Sequence, residues 1–286
     1  MQVVSFMNMK GGVGKTTLAV NVAHALAFQH RKQVLLVDGD PQFNATQCLL
    51  SPEDYLAHTN DPKKGTLEDI FMPKRPGTVS TTAGNTKPVN KSKMRLEDCT
   101  LEIFDGGHGR GGRLDLLPST LTLVEVQNSP RQTEARLKAY LKEKASHYDY
   151  VIIDCPPTIS IFTLAAMLAS DKYIVPVRPD PLSVVGLPLL ERYIEDFIAD
   201  AGQKIQQIGI VFSLVRRPTP QLMQNVMSEL RQLRKNAVFP GCFSQATCVA
   251  ESVAAHQPLL QFRKATQSSK LQLVDIALEF LKRTGG

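Results

Sequence analysis

A glycine-rich run near the start of the chain carries two lysines and two threonines. Residues 8–17 read Asn-Met-Lys-Gly-Gly-Val-Gly-Lys-Thr-Thr, follow an apolar run at 3–7 and precede apolar residues at helical spacing. A strand, a glycine-rich turn and a helix N-terminus together can bind a phosphate, because glycine N–H groups and the helix dipole both attract an anion. We therefore predict that this segment binds the phosphates of a nucleotide.

The two lysines of this run are predicted to have different roles. Lys15 is placed to reach the β- and γ-phosphates, and the Thr16 hydroxyl is placed to hold Mg²⁺. The strict pattern G-x-x-x-x-G-K-[ST] fails because Met9 stands at its first glycine position, and Lys10 follows it. One nucleotide needs no second lysine there, so the charge of Lys10 is predicted to act elsewhere. The other predicted nucleotide contacts are Gly11, Gly12, Val13, Gly14 and Thr17.

Three aspartates follow apolar runs that are typical of buried parallel strands. Asp38 and Asp40 follow the run at 34–37, and Asp154 follows the run at 150–153. Ligands bind at the carboxyl ends of strands in open α/β sheets, and carboxylates there suit Mg²⁺. Asp154 is predicted to reach the metal directly or through a water. The alternative is that each aspartate belongs only to the polar turn that closes its strand.

Composition limits the class of protein. The chain has 286 residues, of which 43% are hydrophobic, and a net charge of +6. This length fits one large α/β domain or two small ones, and the positive charge favours a polyanionic partner or simply promotes solubility. Five cysteines without a C-x-x-C pair predict reduced thiols, a cytoplasmic location and no zinc site. We expect neither a secretory signal nor a membrane span, because the chain shows no charged leader and no long apolar run.

Predicted strands and helices alternate, which indicates a doubly wound, mostly parallel α/β sheet in one P-loop domain spanning residues 1–286. Residues 51–100 are the exception and are predicted to be a basic, low-complexity insertion. Within them, residues 73–95 carry six Lys or Arg and no acidic residue, so they form either a solvated loop or a DNA contact. The predicted strands are 3–7, 34–37, 101–104, 113–117, 150–153, 172–177, 208–214 and 238–240. A glycine-rich turn is predicted at 106–112. One predicted helix begins near 18, and the others are 66–71, 130–145, 161–169, 183–201, 221–235 and 268–282.

Three motifs together resemble those of the ParA/MinD partition ATPases. Residues 10–17 resemble the family's deviant Walker A motif, residues 38–42 its switch I and residues 154–157 its switch II. The resemblance runs nearly end to end. Met9 before the signature lysine, and the Asp-Pro-Gln within switch I, resemble the ParA side of the family.

The resemblance implies a P-loop sheet that binds ATP and Mg²⁺ and forms a nucleotide-sandwich homodimer. Lys10 would then cross the interface and touch the phosphates of the ATP in the other subunit, which accounts for the extra lysine. Asp40, with Asp38 beside it, would orient the attacking water, and Lys15 would neutralise charge that develops at the γ-phosphate. The implied metal site comprises Thr16, Asp40 and Asp154, and the implied adenine side includes Arg217 and Pro240.

The resemblance also implies partners. The ATP-bound dimer would bind nucleoid DNA without sequence preference, and a cargo-bound ParB-like adaptor would stimulate slow hydrolysis and so release it. The implied location is cytoplasmic and nucleoid-associated. Cations that contact DNA phosphates are expected in the C-terminal half, although each one is equally well explained as part of a solvated basic face. The candidates are Arg216, Arg217, Arg231, Arg234 and Lys235.

Two other functions fit parts of the sequence. Residues 278–283 faintly resemble an amphipathic membrane helix, as in a MinD-like positioning ATPase. The apolar residues between 271 and 280 fit more simply the packed last helix of a domain. The third alternative is a metabolic P-loop enzyme such as a small-molecule synthetase, and the lack of paired cysteines argues against a metal-cluster reductase.

Overall fold

A single eight-stranded sheet forms the centre of the parts of the chain that the computed structural model describes, residues 1–72, 94–107, 111–128 and 133–286. The spatial order of its strands is β3-β4-β2-β5-β1-β6-β7-β8. Neighbouring strands are parallel, except that β3 and β4 form an antiparallel hairpin. The strands are β1 Gln2–Phe6, β2 Gln33–Asp38, β3 Leu101–Asp105, β4 Arg113–Leu117, β5 Tyr150–Asp154, β6 Lys172–Val177, β7 Gln206–Val215 and β8 Val238–Ser244.

Helices cover both faces of this sheet. The helices are α1 Lys15–His30, α2 Asn44–Leu49, α3 Pro52–Asn60, α4 Leu67–Phe71, α5 Leu96–Cys99, α6 Ala135–Lys144, α7 Ile161–Ala169, α8 Pro181–Ala201, α9 Gln221–Arg234, α10 Thr247–Ala254 and α11 Gln267–Thr284, with 3₁₀ helices at Leu121–Asn128 and Lys235–Ala237. One core lies between the sheet and α4, α6, α7, α8 and α9. The other core lies between the sheet and α1, α2, α10 and α11. The predicted doubly wound, mostly parallel fold is confirmed.

The predicted strands are all present, and β8 is longer than predicted. Its sequence contains Pro240 and Gly241, which weaken a strand pattern, yet the strand continues to Ser244. Proline is tolerated there because β8 is the outermost strand and its free edge needs no N–H donor. At the opposite edge, β3 and β4 flank the predicted glycine-rich turn, of which residues 108–110 lie outside the described part.

The described part of residues 51–100 contains three short helices where the sequence predicted one. Ser51 begins α3 by accepting a hydrogen bond from the Asp54 N–H at 3.1 Å, and a proline opens the helix. α4 begins with a capping box between Thr66 and Asp69. α4 corresponds to the helix predicted at 66–71, whereas α3 was not predicted because its start is marked by a cap and not by hydrophobic periodicity.

The basic residues predicted to form a loop in this region are mostly outside the described residues, because these exclude 73–93. Arg95 is described; it lies on the surface and pairs with Asp98 at 3.3 Å. The helix predicted at 130–145 begins at Ala135, and residues 129–132 likewise fall outside the description. α2, α3, α5, α10 and the 3₁₀ helix at Leu121–Asn128 were not predicted.

The last helix packs on the domain through its apolar face. Leu273, Ile276, Ala277 and Phe280 of α11 are buried, and the helix contacts α1 and β8. This arrangement favours the packed last helix over an amphipathic membrane helix. Among the described helices, none combines the length and the apolar character needed to cross a bilayer.

Candidate functional site

The glycine-rich loop and the aspartates meet at the carboxyl ends of adjacent strands. β5 lies between β1 and β2. Its last residue, Asp154, is opposite Phe6 of β1 and Asp38 of β2. The parallel register therefore brings together three segments that are far apart in the sequence.

The loop between β1 and α1 has a backbone that its glycines allow. Gly12 has φ 68° and Gly14 has φ 79°, a conformation that favours glycine. Gly14 is also the N-cap of α1, and its carbonyl accepts a hydrogen bond from the Leu18 N–H at 3.0 Å. A Cβ atom added at Gly11 or Gly12 would meet no atom within 4 Å. The loop thus borders open space next to a helix N-terminus, which fits a phosphate group.

Lys15 is the buried cation of this loop. Its side chain is nearly inaccessible, and its Nζ donates a long hydrogen bond of 3.4 Å to the Lys10 carbonyl. Burial lowers the pKa of Lys15, while the nearby charge of Asp154 acts to raise it. A buried ammonium group is costly without a close anionic partner. The environment of Lys15 therefore fits the phosphate of a bound nucleotide.

Asp154 presents an unpaired carboxylate to the site. It is fully buried, and within the described residues neither of its oxygens has a hydrogen-bond partner. Burial, together with the charge of Asp38, raises the pKa of Asp154 to about 8, although the nearby Thr16 hydroxyl and the charge of Lys15 act to lower it. A carboxylate in this state is stabilised by a cation. The observation supports Asp154 as a metal-facing residue.

The donor set fits Mg²⁺ that arrives with a nucleotide. Among the described residues, no group of three or more His, Cys, Asp or Glu side chains could hold a metal alone. Mg²⁺ commonly takes one or two carboxylates and completes its shell with waters and substrate phosphates. Asp154 and the hydroxyl of Thr16, the second residue of α1, would hold the ion from the protein side.

The Asp38 carboxylate is hydrogen-bonded within the segment that follows β2. Its carboxylate accepts hydrogen bonds from the N–H and the hydroxyl of Thr46, both at 2.7 Å, and from the Asp40 N–H at 3.3 Å. Burial raises the pKa of Asp38 to about 7, although the Thr46 hydrogen bonds act to lower it. These contacts make Asp38 a residue that positions switch I and the start of α2.

Gly39 fixes switch I against the end of β5. Its N–H donates to the Asp154 carbonyl at 2.9 Å, and an added Cβ would lie 2.8 Å from that same oxygen. The next residue, Asp40, is almost fully buried. Its backbone carbonyl accepts from the Ser119 hydroxyl at 2.9 Å, and one carboxylate oxygen accepts from the Gln42 N–H at 2.9 Å. Asp40 is thus held at the end of β2, and its water-orienting and metal-binding roles stay predictions.

Lys10 is bound to its own subunit. Its Nζ lies 2.6 Å and 2.5 Å from the two carboxylate oxygens of Asp180, the N-cap of α8. Partial burial acts to raise the pKa of Asp180, but the hydrogen bond and charge of Lys10 hold it below its usual value. In this conformation the Lys10 amine is bound at the N-terminus of α8.

The end of β7 contacts the glycine-rich loop directly. The Ser213 hydroxyl donates to the Val13 carbonyl, and a Cβ at Gly14 would lie 3.5 Å from Ser213 and from Leu214. Leu214 itself has a positive φ of 54°. This contact places the loop after β7 beside the nucleotide site, where the adenine side was predicted.

The two residues predicted for the adenine side are placed differently. Arg217 bridges the ends of β7 and β8, because its Nε donates to the Ser244 hydroxyl at 3.1 Å, and its Nη2 lies 3.4 Å from the Cys242 sulfur. Pro240 lies four residues before the end of β8, and its carbonyl accepts from Arg231 at 3.3 Å. The structure therefore places Ser244, and not Pro240, at the carboxyl edge that faces the site.

The predicted DNA-binding cations fall into two groups. Arg217 and Arg231 line one open cleft of about 620 Å³ beside α9, and the Arg231 guanidinium lies 5.4 Å from the Phe212 ring centroid. Arg234 instead pairs with Glu191 of α8 at 2.5 Å, so its charge is already compensated. Arg216 and Lys235 are exposed on either side of α9 in the sequence.

Several residues of the site were not predicted from the sequence. Thr46 and Ser119 hold switch I, Ser213 holds the glycine-rich loop, and Asp180 holds Lys10. Of these, only Asp180 carried a usable signal, since it follows the end of a buried strand as Asp38 and Asp154 do.

Comparisons with known proteins agree on the family and the fold. A family model described as an AAA domain matches residues 1–207. The chain is 27% identical over 282 residues to the chromosome partitioning protein ParA of Myxococcus xanthus, covering 99% of this chain and 88% of that protein.

Two solved structures share the fold over nearly the whole chain. A plasmid partition protein of Borrelia burgdorferi bound to AMPPNP has a TM-score of 0.74 at 19% identity and covers 99% of each chain. Cobyrinic acid a,c-diamide synthase of Mycobacterium smegmatis, with a bound ATP analogue and magnesium, has a TM-score of 0.72 at 20% identity and covers 100% of this chain and 96% of the enzyme. At these identities the likeness shows the fold alone.

Proposed function

The chain belongs to the AAA domain family and is a ParA-type P-loop ATPase, and from this premise we propose that it works as an ATP-dependent sandwich homodimer that binds DNA without sequence preference. Hydrolysis of ATP would end that state, so that the protein partitions or positions a large cargo. The relatives named as chromosome and plasmid partition proteins support this proposal.

The observation that carries the proposal is the position of Lys10. The open phosphate space, Lys15 and the unpaired Asp154 form one nucleotide site within the subunit. The Lys10 amine lies outside this set, on Asp180 at the start of α8. A lysine of the phosphate loop that its own site does not use is the feature expected if a second subunit uses it.

The residues present would support in-line attack of water on the γ-phosphate. Lys15 and, from the second subunit, Lys10 would neutralise the negative charge that develops in the transition state. Asp40, held by Ser119 and Gln42, would orient the attacking water. Bound Mg²⁺ would supply charge neutralisation at the β- and γ-phosphates. Switch I is tied to Asp154 through Gly39, so the water-orienting and metal-facing residues would keep a fixed relation.

The proposed partners are DNA and an adaptor. The exposed guanidinium groups of Arg217 and Arg231 in one cleft would contact DNA phosphates. A cargo-bound ParB-like protein would stimulate a slow basal hydrolysis, and the protein would be cytoplasmic and associated with the nucleoid. A MinD-like attachment to membranes is less well supported, because the apolar face of α11 is already buried.

Sedimentation with random-sequence DNA and with liposomes tests the proposal. We expect the protein to pellet with DNA in Mg²⁺ and ATP but not in ADP, and not to pellet with liposomes. Binding to DNA that is the same with ATP, ADP or no nucleotide would contradict the mechanism. Binding to liposomes in ATP would favour the MinD-like alternative.

Lys10→Ala tests the role of the second lysine. We expect this variant to bind ATP with nearly the wild-type affinity and to lose hydrolysis by about 100-fold or more, because a preorganised charge at the γ-phosphate is removed. The measurements are fluorescent-nucleotide titration and phosphate release. Lys282→Ala, which removes an exposed lysine from α11, is the matched control. Normal hydrolysis by Lys10→Ala would eliminate the trans-lysine mechanism.

Asp40→Ala tests the water-orienting residue. We expect this variant to accumulate as an ATP-bound dimer, because formation of the dimer does not require the attacking water whereas turnover does. Analytical ultracentrifugation in ATP and a phosphate-release assay measure the two properties. A variant that dimerises and turns over at the wild-type rate would remove Asp40 from catalysis.

A further inference from the structure

The ion pair of Lys10 is bidentate and partly shielded. The two nitrogen–oxygen distances to Asp180 are 2.6 Å and 2.5 Å, and the side chains are 33% and 27% exposed. An exposed ion pair contributes little because both groups are well solvated, whereas good geometry and partial shielding increase its contribution. The Asp180 carboxylate therefore competes with any other anion for the Lys10 amine.

Asp180 is positioned independently of Lys10. As the N-cap of α8 it accepts a hydrogen bond from the Ser183 N–H at 3.1 Å, and the Ser183 hydroxyl oxygen lies 3.2 Å from the same carboxylate oxygen. The same hydroxyl donates to the Arg178 carbonyl at 2.6 Å, and Ser183 is buried. The carboxylate thus stays in place over the end of β6 whether or not the lysine is present.

The backbone of Lys10 is anchored to the same strand. The Lys10 N–H donates to the Asn8 side chain at 2.9 Å, and the Asn8 amide donates to the Pro176 carbonyl of β6 at 2.7 Å. The backbone of Lys10 is therefore tied to β6, and the carboxylate of Asp180 is tied to the first turn of α8. The flexible part is the lysine side chain, which can leave Asp180 without displacing the loop.

We propose that Asp180 is a positioning residue that holds Lys10 on its own subunit and yields it to the nucleotide of a second copy when the dimer forms. This inference rests on the proposed function. Each subunit must give up one ion pair before its lysine reaches a phosphate in the other subunit. The strength of the Lys10–Asp180 contact then sets how readily ATP drives two subunits together.

Asp180→Asn separates this role from helix capping. Asparagine caps helices about as well as aspartate does, so the variant keeps an acceptor for Ser183 and loses only the charge that holds Lys10. Asp196→Asn is the matched control, because it makes the same charge change at an exposed position on the same helix. Thermal denaturation of both variants verifies that the fold is unchanged.

The first measurement needs no nucleotide. The protein is treated briefly with an amine-acetylating reagent, and mass spectrometry gives the acetylation rate of Lys10. We expect Asp180→Asn to raise this rate about two- to fivefold, which corresponds to the loss of a partly exposed ion pair, and Asp196→Asn to leave it unchanged. If Lys10 is acetylated at the same rate in wild type and in Asp180→Asn, the inference is overturned, independently of any result obtained with ATP.

The second measurement is the dimer dissociation constant in Mg²⁺ and ATP, from sedimentation equilibrium. Because a dimer releases two ion pairs, we expect Asp180→Asn to bind about 4- to 25-fold more tightly to itself than wild type does. Unchanged or weaker dimerisation of a variant with faster Lys10 acetylation would overturn the inference. Wild-type protein that stays monomeric in ATP would instead refute the proposed dimer, and the inference with it, before any variant is compared.

Discussion

Glycines in the candidate site meet different physical requirements. Gly14, the N-cap of α1, has a positive φ, and Gly11 borders the space that fits a phosphate. Gly39 is different because the atom closest to its missing side chain is the Asp154 carbonyl oxygen, part of the neighbouring backbone. Backbone atoms at the end of a buried strand cannot move aside cheaply. Gly39 is therefore needed for the packing of the fold, and Gly11 is needed for binding of the ligand.

Alanine substitutions at Gly39 and Gly11 should affect different properties of the protein. Gly39→Ala should lower the free energy of unfolding by about 1–3 kcal/mol, because its Cβ would lie 2.8 Å from the Asp154 carbonyl. Gly11→Ala should leave that free energy within about 0.5 kcal/mol, since its Cβ meets nothing within 4 Å. Urea denaturation measures stability, and fluorescent-nucleotide titration measures binding. We expect Gly11→Ala to weaken nucleotide binding, and equal stability losses in both variants would contradict this division of roles.

The helix that follows the phosphate loop is joined to the sheet edge by an aromatic cluster. His24 of α1 stacks on Phe28 at 5.2 Å and lies edge-on to Phe104 of β3 at 5.6 Å between ring centroids. The His24 side chain is fully buried, and the Gln261 side chain lies near its ring. Burial lowers the pKa of His24 to about 4. The packing of α1 on this edge therefore requires a neutral imidazole.

The stability of this contact should depend on pH in a defined direction. Between about pH 6.5 and pH 4 the unfolded chain binds a proton at His24 and the folded chain does not, so stability falls as pH falls. The loss across this range is about 3 kcal/mol. Urea denaturation of wild type and His24→Leu at several pH values should show a smaller loss in the variant. His147→Leu, at an exposed position, should keep the wild-type profile, and identical profiles in all three proteins would contradict the assignment.

Elements with strong local signals were predictable from the sequence. The strands at 34–37 and 150–153 were found because a parallel strand buried on both faces is a continuous apolar run. The end of β8 was missed because Pro240 and Gly241 hide a strand that only its edge position permits. α3 and α10 were missed because they are short, and short helices depend on caps and tertiary packing more than on periodicity.

At the scale of the whole molecule, contacts between residues far apart in the sequence decide which charged side chains are available to a partner. The five predicted DNA-binding cations look alike in the sequence, yet only Arg217 and Arg231 line a common cleft. Arg234 is paired across helices with Glu191. Contacts such as Lys10 with Asp180, 170 residues apart, and Ser213 with Val13, 200 residues apart, carry no local pattern. Motifs therefore indicate which chemistry to expect at the site, and the folded chain was needed to show what each residue contacts.

The difference between the two arginines of α9 should appear in the salt dependence of DNA binding. Arg231→Ala should reduce the slope of log K against log salt by about 0.9, the value for one lost phosphate contact. Arg234→Ala is the matched variant and should change the slope by less than half as much, because Glu191 already compensates its charge. Fluorescence anisotropy with random-sequence duplex DNA in ATP measures both. Equal changes would show that the cleft does not select among these cations.

The contact between Arg217 and Cys242 allows a probe to be attached next to a residue that lines the cleft. Only thiolates react readily with maleimides, and burial raises the pKa of the Cys48 thiol to about 12 and also raises that of Cys155. Cys99 and Cys248 are buried, whereas Cys242 is half-buried, and its sulfur lies 3.4 Å from the guanidinium of Arg217, which lines the cleft. We expect a thiol-reactive dye to modify Cys242 first in the unaltered chain. A fluorophore there would report on whatever enters the cleft, with no engineered cysteine needed.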